Sequence, residues 1–176
     1  MIIQTERIRI REIIADDIDC LLAIYQDSEN MKFIPNSAFK WNKEQLTEKY
    51  ERINCGYKKG FGIFTVELLD GEIIGEGGLF DSFNKLNHLE LGYIIDRRYW
   101  GKGYGLELSK SLIEYGFREL KLSKLTARMY KENIASVRLS ERCGMAFVNG
   151  GKNDDGKEYC EYEISANELN TPHNKL

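Results

Sequence analysis

Three glycines at alternate positions, in Arg98-Tyr99-Trp100-Gly101-Lys102-Gly103-Tyr104-Gly105, separate an apolar run (Leu89 to Ile95) from a helix-like segment (Leu106 to Leu120). The order is strand, glycine turn, helix. Glycine adopts positive φ without strain and lets a ligand approach the backbone closely. The first N–H groups of a helix have no partner within it and carry the positive end of its dipole. Their chemistry is anion binding, and a phosphorylated cofactor is the expected ligand. A tight strand-to-helix turn without a ligand would have the same composition. The run is not a P-loop, since G-x-x-x-x-G-K-[ST] is absent, nor a dinucleotide fingerprint, which needs G-x-G-x-x-G.

Other polar residues flank this turn. In the strand expected over His88 to Asp96, His88, Glu90, Gly92 and Ile94 share one face, and Leu89, Leu91, Tyr93 and Ile95 the other. Gly92 removes a side chain from the first face, as at a bulge, a close ligand approach or a packing contact beside a helix. Asn133 and Ser136 form an N-x-x-S element at the start of a helix, with Asn133 a good N-cap. Cys20, Cys55, Cys143 and Cys160 are scattered with no C-x-x-C pair. They read as buried free thiols in a reducing cytoplasm rather than as disulfides or a zinc site. The only two histidines, His88 and His173, leave little from which to build a histidine-based triad. No metal is implied.

The elements that must position these groups follow from periodicity. Thr5 to Ile13 alternates apolar and charged residues, as a half-buried strand does. Asp16 or Asp17 is expected to cap a helix that carries Ile18, Leu21, Leu22 and Tyr25 on one face. Residues 27–41 read as a loop with Pro35 and the aromatics Phe33, Phe39 and Trp41. Asn42 with Gln45 resembles a capping box opening a second helix through Leu46, Tyr50 and Ile53. Phe61 to Leu69 and Glu72 to Phe80 are strands joined by the hairpin signal Asp70-Gly71. Asp81 to Asn87 reads as a polar turn. Lys124 to Tyr130 is strand-like, and Asn133 to Cys143 is a helix stopped by Gly144. Met145 to Val148 and Glu158 to Ile164 form a final hairpin. Residues 1–166 read as one domain and residues 167–176 as a polar tail.

The 176 residues carry a net charge of −3, with 42% apolar and 30% charged residues. There is no basic excess of the kind that drives nucleic-acid binding. No apolar run reaches the length of a membrane span, and the N-terminus lacks a signal-peptide pattern. A soluble cytoplasmic protein with neither a nucleic-acid nor a membrane partner is the expectation.

Arg98-x-x-Gly101-x-Gly103 matches the acetyl-CoA motif [QR]-x-x-G-x-[GA], so the chain resembles the GCN5-related N-acetyltransferase (GNAT) superfamily. Thr5-Glu6-Arg7-Ile8-Arg9-Ile10-Arg11 resembles the start of the ribosomal-protein-acetylating (RimJ/RimL-like) branch. So do Ile74-Gly75-Glu76-Gly77-Gly78, Glu90-Leu91-Gly92-Tyr93 and Asn133-Ile134-Ala135-Ser136. Cys143-Gly144-Met145 fills the usual G-F slot with methionine in place of phenylalanine. Gly105-Leu106-Glu107-Leu108 departs from the usual small residues around the glutamate.

The resemblance implies an α/β fold. It would be a mixed, mostly antiparallel sheet of six to seven strands with about four helices on its faces and a splayed cofactor cleft. It also implies that the backbone of Arg98, Tyr99, Trp100, Gly101, Lys102, Gly103, Tyr104 and Gly105 holds the pyrophosphate of acetyl-CoA. The pantetheine arm would pair with Tyr93, Ile94, Ile95 and Asp96 of a bulged strand. An N–H near Ile94 or Ile95 would polarise the thioester, as an oxyanion hole does.

The implied activity is acetyl transfer to a primary amine by direct attack in a ternary complex, without an acyl-enzyme. Such amines are protonated at neutral pH, so a base is needed; Glu90 is the candidate, with Glu76 and Glu161 as rivals. Ser136 is the implied acid for the departing thiolate, and Asn133 an implied contact to the cofactor arm. The acceptor is a protein N-terminus or a small amine such as a polyamine, aminoglycoside or amino acid. The aromatics of residues 27–41 and of the second helix either wall its pocket or fill core. A non-catalytic acetyl-CoA-binding sensor or partner module is the alternative. Many relatives dimerise, although no feature of this sequence marks a homodimer interface.

Overall fold

The structure, a computed structural model, describes residues 3–34, 40–85, 87–154 and 156–168. Its strands are β1 (Ile3–Gln4), β2 (Ile8–Glu12), β3 (Gly62–Leu68), β4 (Ile73–Lys85), β5 (His88–Ile95), β6 (Lys124–Tyr130), β7 (Ala146–Lys152) and β8 (Glu158–Ser165). The helices are α1 (Ile18–Gln26), α2 (Ser28–Met31), α3 (Lys43–Ile53), α4 (Tyr104–Arg118) and α5 (Ile134–Arg142). One sheet takes the order β1-β2-β3-β4-β5-β6-β8-β7, antiparallel except where β5 meets β6. The eighth strand is the two-residue β1, and the fifth helix is the single turn α2. Both are too short for periodicity to reveal.

Period-two alternation gives β5 two working faces. Leu89, Leu91 and Ile95 join a core with Leu108, Leu112 and Ile113 of α4, whereas Ile94 joins a second core with α1 and α3. The sheet is therefore covered on both sides, as the mixed pattern requires. The box at Asn42 forms as expected: its side chain accepts from the Gln45 amide at 2.9 Å, and Gln45 returns the bond at 3.1 Å.

Several expectations are corrected. Residues 81–85 continue β4 rather than forming a turn; Asp81 and Ser82 are exposed, and a solvent-facing strand end has loop-like composition. Residues 27–41 contain α2, whose N-cap Asp27 accepts from the Glu29 and Asn30 amides. Pro35 and Phe39 lie outside the described residues, as do Asp155, His173 and most of the tail. Cys143 and Cys160 are buried, but Cys20 and Cys55 are exposed, since both stand on solvent-facing parts of the chain.

Asp17 does not cap α1. It is 2% exposed, and its carboxylate receives both Arg11 Nη atoms (2.7 and 2.8 Å), Thr65 Oγ1 (2.7 Å) and the Ile14 amide (3.0 Å). Arg11 also reaches Glu67 at 2.8 Å, so one guanidinium ties β2 to β3 and to the entry of α1. Burial pushes the Asp17 carboxyl up, but these donors outweigh it and hold it below the usual carboxylate range. The resulting stability is complete above the unfolded carboxylate pKa of about 4 and is lost as pH falls through the lower, folded value. Arg11→Met is expected to destabilise the fold by about 3–5 kcal/mol at pH 7, since it strands buried carboxylates. Urea unfolding checks this, and the gap between variant and wild type should narrow on acidification.

Candidate active site

The cleft arises where two parallel strands part. β5 and β6 pair only at His88–Lys124, Leu89–Leu125 and Glu90–Thr126. Beyond Thr126, β6 follows β8 as far as Tyr130, while β5 stays on β4 in unbroken register from Glu90–Phe80 to Ile95–Gly75. The splay is as expected. The bulge is not in this stretch of β5, because the register irregularity lies between Phe80 and Lys85. Gly92 leaves room for the ring of Phe80, to which an added Cβ would come within 3.0 Å.

The gap opens into a cavity of about 750 Å³ reaching Glu76, Glu90, Tyr93, Asn133 and Ser136. The Asp96 amide bonds Ile74 O at 2.9 Å. Alternation along the strand therefore turns the Ile94 amide to β4 as well, and leaves the amides of Tyr93 and Ile95 facing the gap.

At the end of β5 the chain enters the glycine turn. Asp96 is buried; its carboxylate accepts from the Arg98 amide (3.0 Å) and Arg98 Nε (2.9 Å), and its carbonyl accepts from the Tyr99 amide (2.8 Å). The Trp100 amide bonds Arg97 O, and its indole N–H bonds Ile95 O at 2.6 Å. The amides of Arg98, Tyr99 and Trp100 are thus engaged within the turn. In contrast, α4 makes its first backbone bond from Glu107 to Gly103 O, so the amides of Tyr104, Gly105 and Leu106 have no helical acceptor. Gly101 and Gly103 have φ of 72° and 86°, the left-handed region. A Cβ on Gly101 would meet nothing within 4 Å, and one on Gly103 only Arg7, so the space before these amides is open. Gly105 differs, since its Cβ would lie 3.1 Å from Leu139; it is where α4 packs on α5.

Of the three candidate carboxylates, two form salt bridges, and the third, Glu90, feels the charge of Arg128 without one. Glu161 pairs with Arg128 at 2.9 Å, and Glu76 pairs with Lys49 at 2.9 Å. Glu90 borders the cavity with a hydrogen bond to Ser82, and burial raises its pKa above the ordinary glutamate value. On the opposite face of β5, Tyr93 Oη lies 3.2 Å from Ser136 Oγ. Asn133 caps α5 by accepting from the Ser136 amide at 3.2 Å. Burial pushes the Tyr93 phenol above its usual value, so it is neutral at physiological pH. The thiol of Cys143 is fully buried and pushed up to about 11.

Two groups of residues at the site carried no sequence signal for their roles. Arg7 donates to Glu107 (2.6 Å) and to Lys102 O (2.9 Å) and lies 4.6 Å from the Tyr104 ring centroid. Thr5 Oγ1 also donates to Glu107, at 2.6 Å. The Thr5-Glu6-Arg7 motif therefore fastens the start of the sheet to the glycine turn, a contact some hundred residues away in sequence. The second group, Tyr25, Lys49, Tyr50 and Glu76, meets on the α1/α3 side of the cavity. Of the expected aromatics, Phe33 borders the cavity, Trp41 packs edge-on to Tyr25 with ring centroids 5.2 Å apart, and Tyr50 is buried core.

Among the described residues the site is a mixed α/β sheet splayed where its parallel strands part, with free helix-start amides following the end of β5. The acetyltransferase (GNAT) domain family matches residues 7–146; the chain belongs to that family and is an N-acetyltransferase. An uncharacterized N-acetyltransferase, p20, of Bacillus licheniformis is 32% identical over 77% of this chain and 76% of the relative. The spermine/spermidine N(1)-acetyltransferase of Bacillus subtilis (strain 168) is 27% identical over 89% of this chain and 99% of its own length. Spermidine N-acetyltransferase from Vibrio cholerae, solved in complex with CoA and spermine, has the same fold. Its TM-score is 0.80 at 21% identity, over 94% of this chain and 100% of that one.

A carboxylate with a raised pKa destabilises the fold when ionised, and the penalty disappears once both folded and unfolded forms are protonated. Glu90→Gln is therefore expected to raise Tm at pH 7, with the gain fading as pH falls to about 4. Paired thermal melts across that range check this.

Proposed function

We propose that the chain transfers acetyl from acetyl-CoA to a small primary amine by direct attack in a ternary complex. The observation that carries the reading is the cleft itself. The unpaired edge of β5 runs into the glycine turn and its free helix-start amides, and the gap beside that edge holds Glu90 on one face of β5 and Tyr93 with Ser136 on the other. The residues fit the cofactor: the Gly101–Leu106 backbone offers donors to a pyrophosphate, and the unpaired edge of β5 offers amide groups to a pantetheine arm. Charge-assisted bonds of this kind contribute roughly 1.5–3 kcal/mol each. Bound acetyl-CoA supplies the activated acetyl group, and CoA and spermine in the Vibrio cholerae neighbour support both halves of the reading.

Glu90 takes the proton of the incoming ammonium, directly or through water. Its buried setting makes it a better base than an exposed glutamate. The Ile95 or Tyr93 amide stabilises charge developing on the thioester oxygen. Ser136 gives a proton to the departing sulfur and takes one from the Tyr93 hydroxyl hydrogen-bonded behind it; the second proton that the nitrogen sheds on becoming an amide returns Tyr93 to its neutral form through solvent, and Glu90 releases the first. A phenol is a far stronger acid than an aliphatic hydroxyl, so Tyr93 is the source and Ser136 the relay. Cys143 takes no part, because its thiol is buried and protonated.

Calorimetric titration with acetyl-CoA, with CoA for comparison, tests the cofactor half of the reading. Wild type should bind at micromolar concentration. Gly103→Val, which forces a β-branched residue to positive φ at the helix start, should weaken binding at least about tenfold. Undiminished affinity in that variant removes the glycine turn from the site. Thiol-release kinetics test the chemistry. Glu90→Gln and Ser136→Ala should each lower kcat by about a hundredfold with acetyl-CoA affinity little changed. The acidic limb of the pH–rate profile, set by the raised Glu90 pKa, should vanish in Glu90→Gln.

A further inference from the structure

Resting on the acetyl-transfer reading, we propose that the acceptor is a monoamine on an apolar body, because the subsite for a second ammonium is already filled by the chain's own Lys49. Glu76 is the deep carboxylate on the α1/α3 side of the cavity, 4% exposed. Its Oε1 accepts from Tyr25 Oη at 2.5 Å and from Lys49 Nζ at 2.9 Å, and its Oε2 accepts from Tyr50. The Lys49 ammonium lies 4.6 Å from the Tyr25 ring centroid and 4.8 Å from that of Tyr50. One carboxylate and two aromatic rings make a cage for an organic cation. A substrate ammonium would find the same partners there, but Lys49 reaches in from α3 and holds them.

The position of the cage suits that role. Glu76 stands opposite Ile94 and Glu90 opposite Phe80, so the two glutamates share the α1/α3 face four residues apart. That is about 13 Å along the strands, within the span of an extended polyamine. A polyamine presenting one nitrogen to Glu90 would bring another to Glu76 and into repulsion with Lys49.

The rest of the cavity supplies no alternative anion cluster. Among the described residues, its charged side chains are Lys49, Arg128 and Lys152 against Glu76, Glu90 and Asp154. Phe33, Ile34, Ile53, Ile63 and Phe80 provide an apolar wall. An acceptor with one nitrogen and a hydrophobic or aromatic body matches this lining; a polycation does not.

The test compares kcat/KM for 2-phenylethylamine and tyramine with that for spermidine and spermine, alongside an acetyl-CoA titration. Wild type should favour the monoamines by at least about tenfold, the ratio that 1.4 kcal/mol of discrimination gives. In Lys49→Ala that preference should shrink at least about tenfold toward the polyamines as the cage is vacated. Methylammonium should raise the Tm of Lys49→Ala but not of wild type, a readout independent of turnover. A wild-type preference for spermidine or spermine overturns the proposal, as does a Lys49→Ala variant that gains neither polyamine turnover nor methylammonium stabilisation. If Lys49→Ala does not fold, the wild-type preference decides alone. Turnover of none of the four amines with acetyl-CoA still bound overturns the monoamine assignment, whereas failure to bind acetyl-CoA overturns the acetyl-transfer reading beneath it.

Discussion

The structure turns on the three-residue parallel pairing of β5 with β6. Continued pairing would satisfy every amide and leave a sheet with no cleft. Stopping at Glu90–Thr126 frees the β5 edge over Leu91 to Ile95, and an unpaired strand edge inside a domain needs water or a ligand to satisfy it. The parting is held open from both sides. Antiparallel pairing with β8 keeps β6 straight through Tyr130, and the matched register with β4 holds β5 through Ile95. The start of α5 stands across the gap, where Ser136 meets Tyr93.

Because a strand alternates its side chains, the same parting presents different chemistry on its two sides. Glu90 and Ile94 look toward α1 and α3, and Tyr93 looks toward α4 and α5. A group lying in the gap therefore meets a carboxylate from one face and a pair of hydroxyls from the other. The carboxylate and the hydroxyl pair stand on opposite faces of the sheet.

Three ionic clusters steady the frame. Arg11 with Asp17 and Glu67 joins the first strands to α1, Arg7 with Glu107 joins the N-terminal segment to the glycine turn, and Lys49 with Glu76 ties α3 to β4. Such pairs contribute less to net stability than their Coulomb attraction suggests, since desolvation offsets most of it. Their consequence is positional: each fixes the geometry of an element that borders the cleft. Glu107 illustrates this. Burial pushes its carboxyl up, but Thr5 and Arg7 outweigh burial and hold it below the ordinary value, so it stays an anion bound to the turn's latch.

Much of this was legible in the residues alone. Alternation in Ile8-Arg9-Ile10-Arg11 and in Leu89 to Ile95, the Asn42–Gln45 box and the stop at Gly144 are local signals, and local backbone physics fixes them. The ordered motifs from Thr5 to Met145 pointed to the family. Short or solvent-facing pieces were not legible: β1 is two residues and α2 a single turn, and the far half of β4 has the composition of a loop. Nor could sequence separate Glu90 from Glu76 and Glu161, since all three are glutamates on strands. Only the fold decided that Lys49 and Arg128 neutralise two of them, that Tyr93 meets Ser136, and that Arg7 reaches Glu107. These contacts join residues 27 to 100 positions apart. Periodicity reports which face a residue takes, but partners across a cleft are set by how the sheet parts.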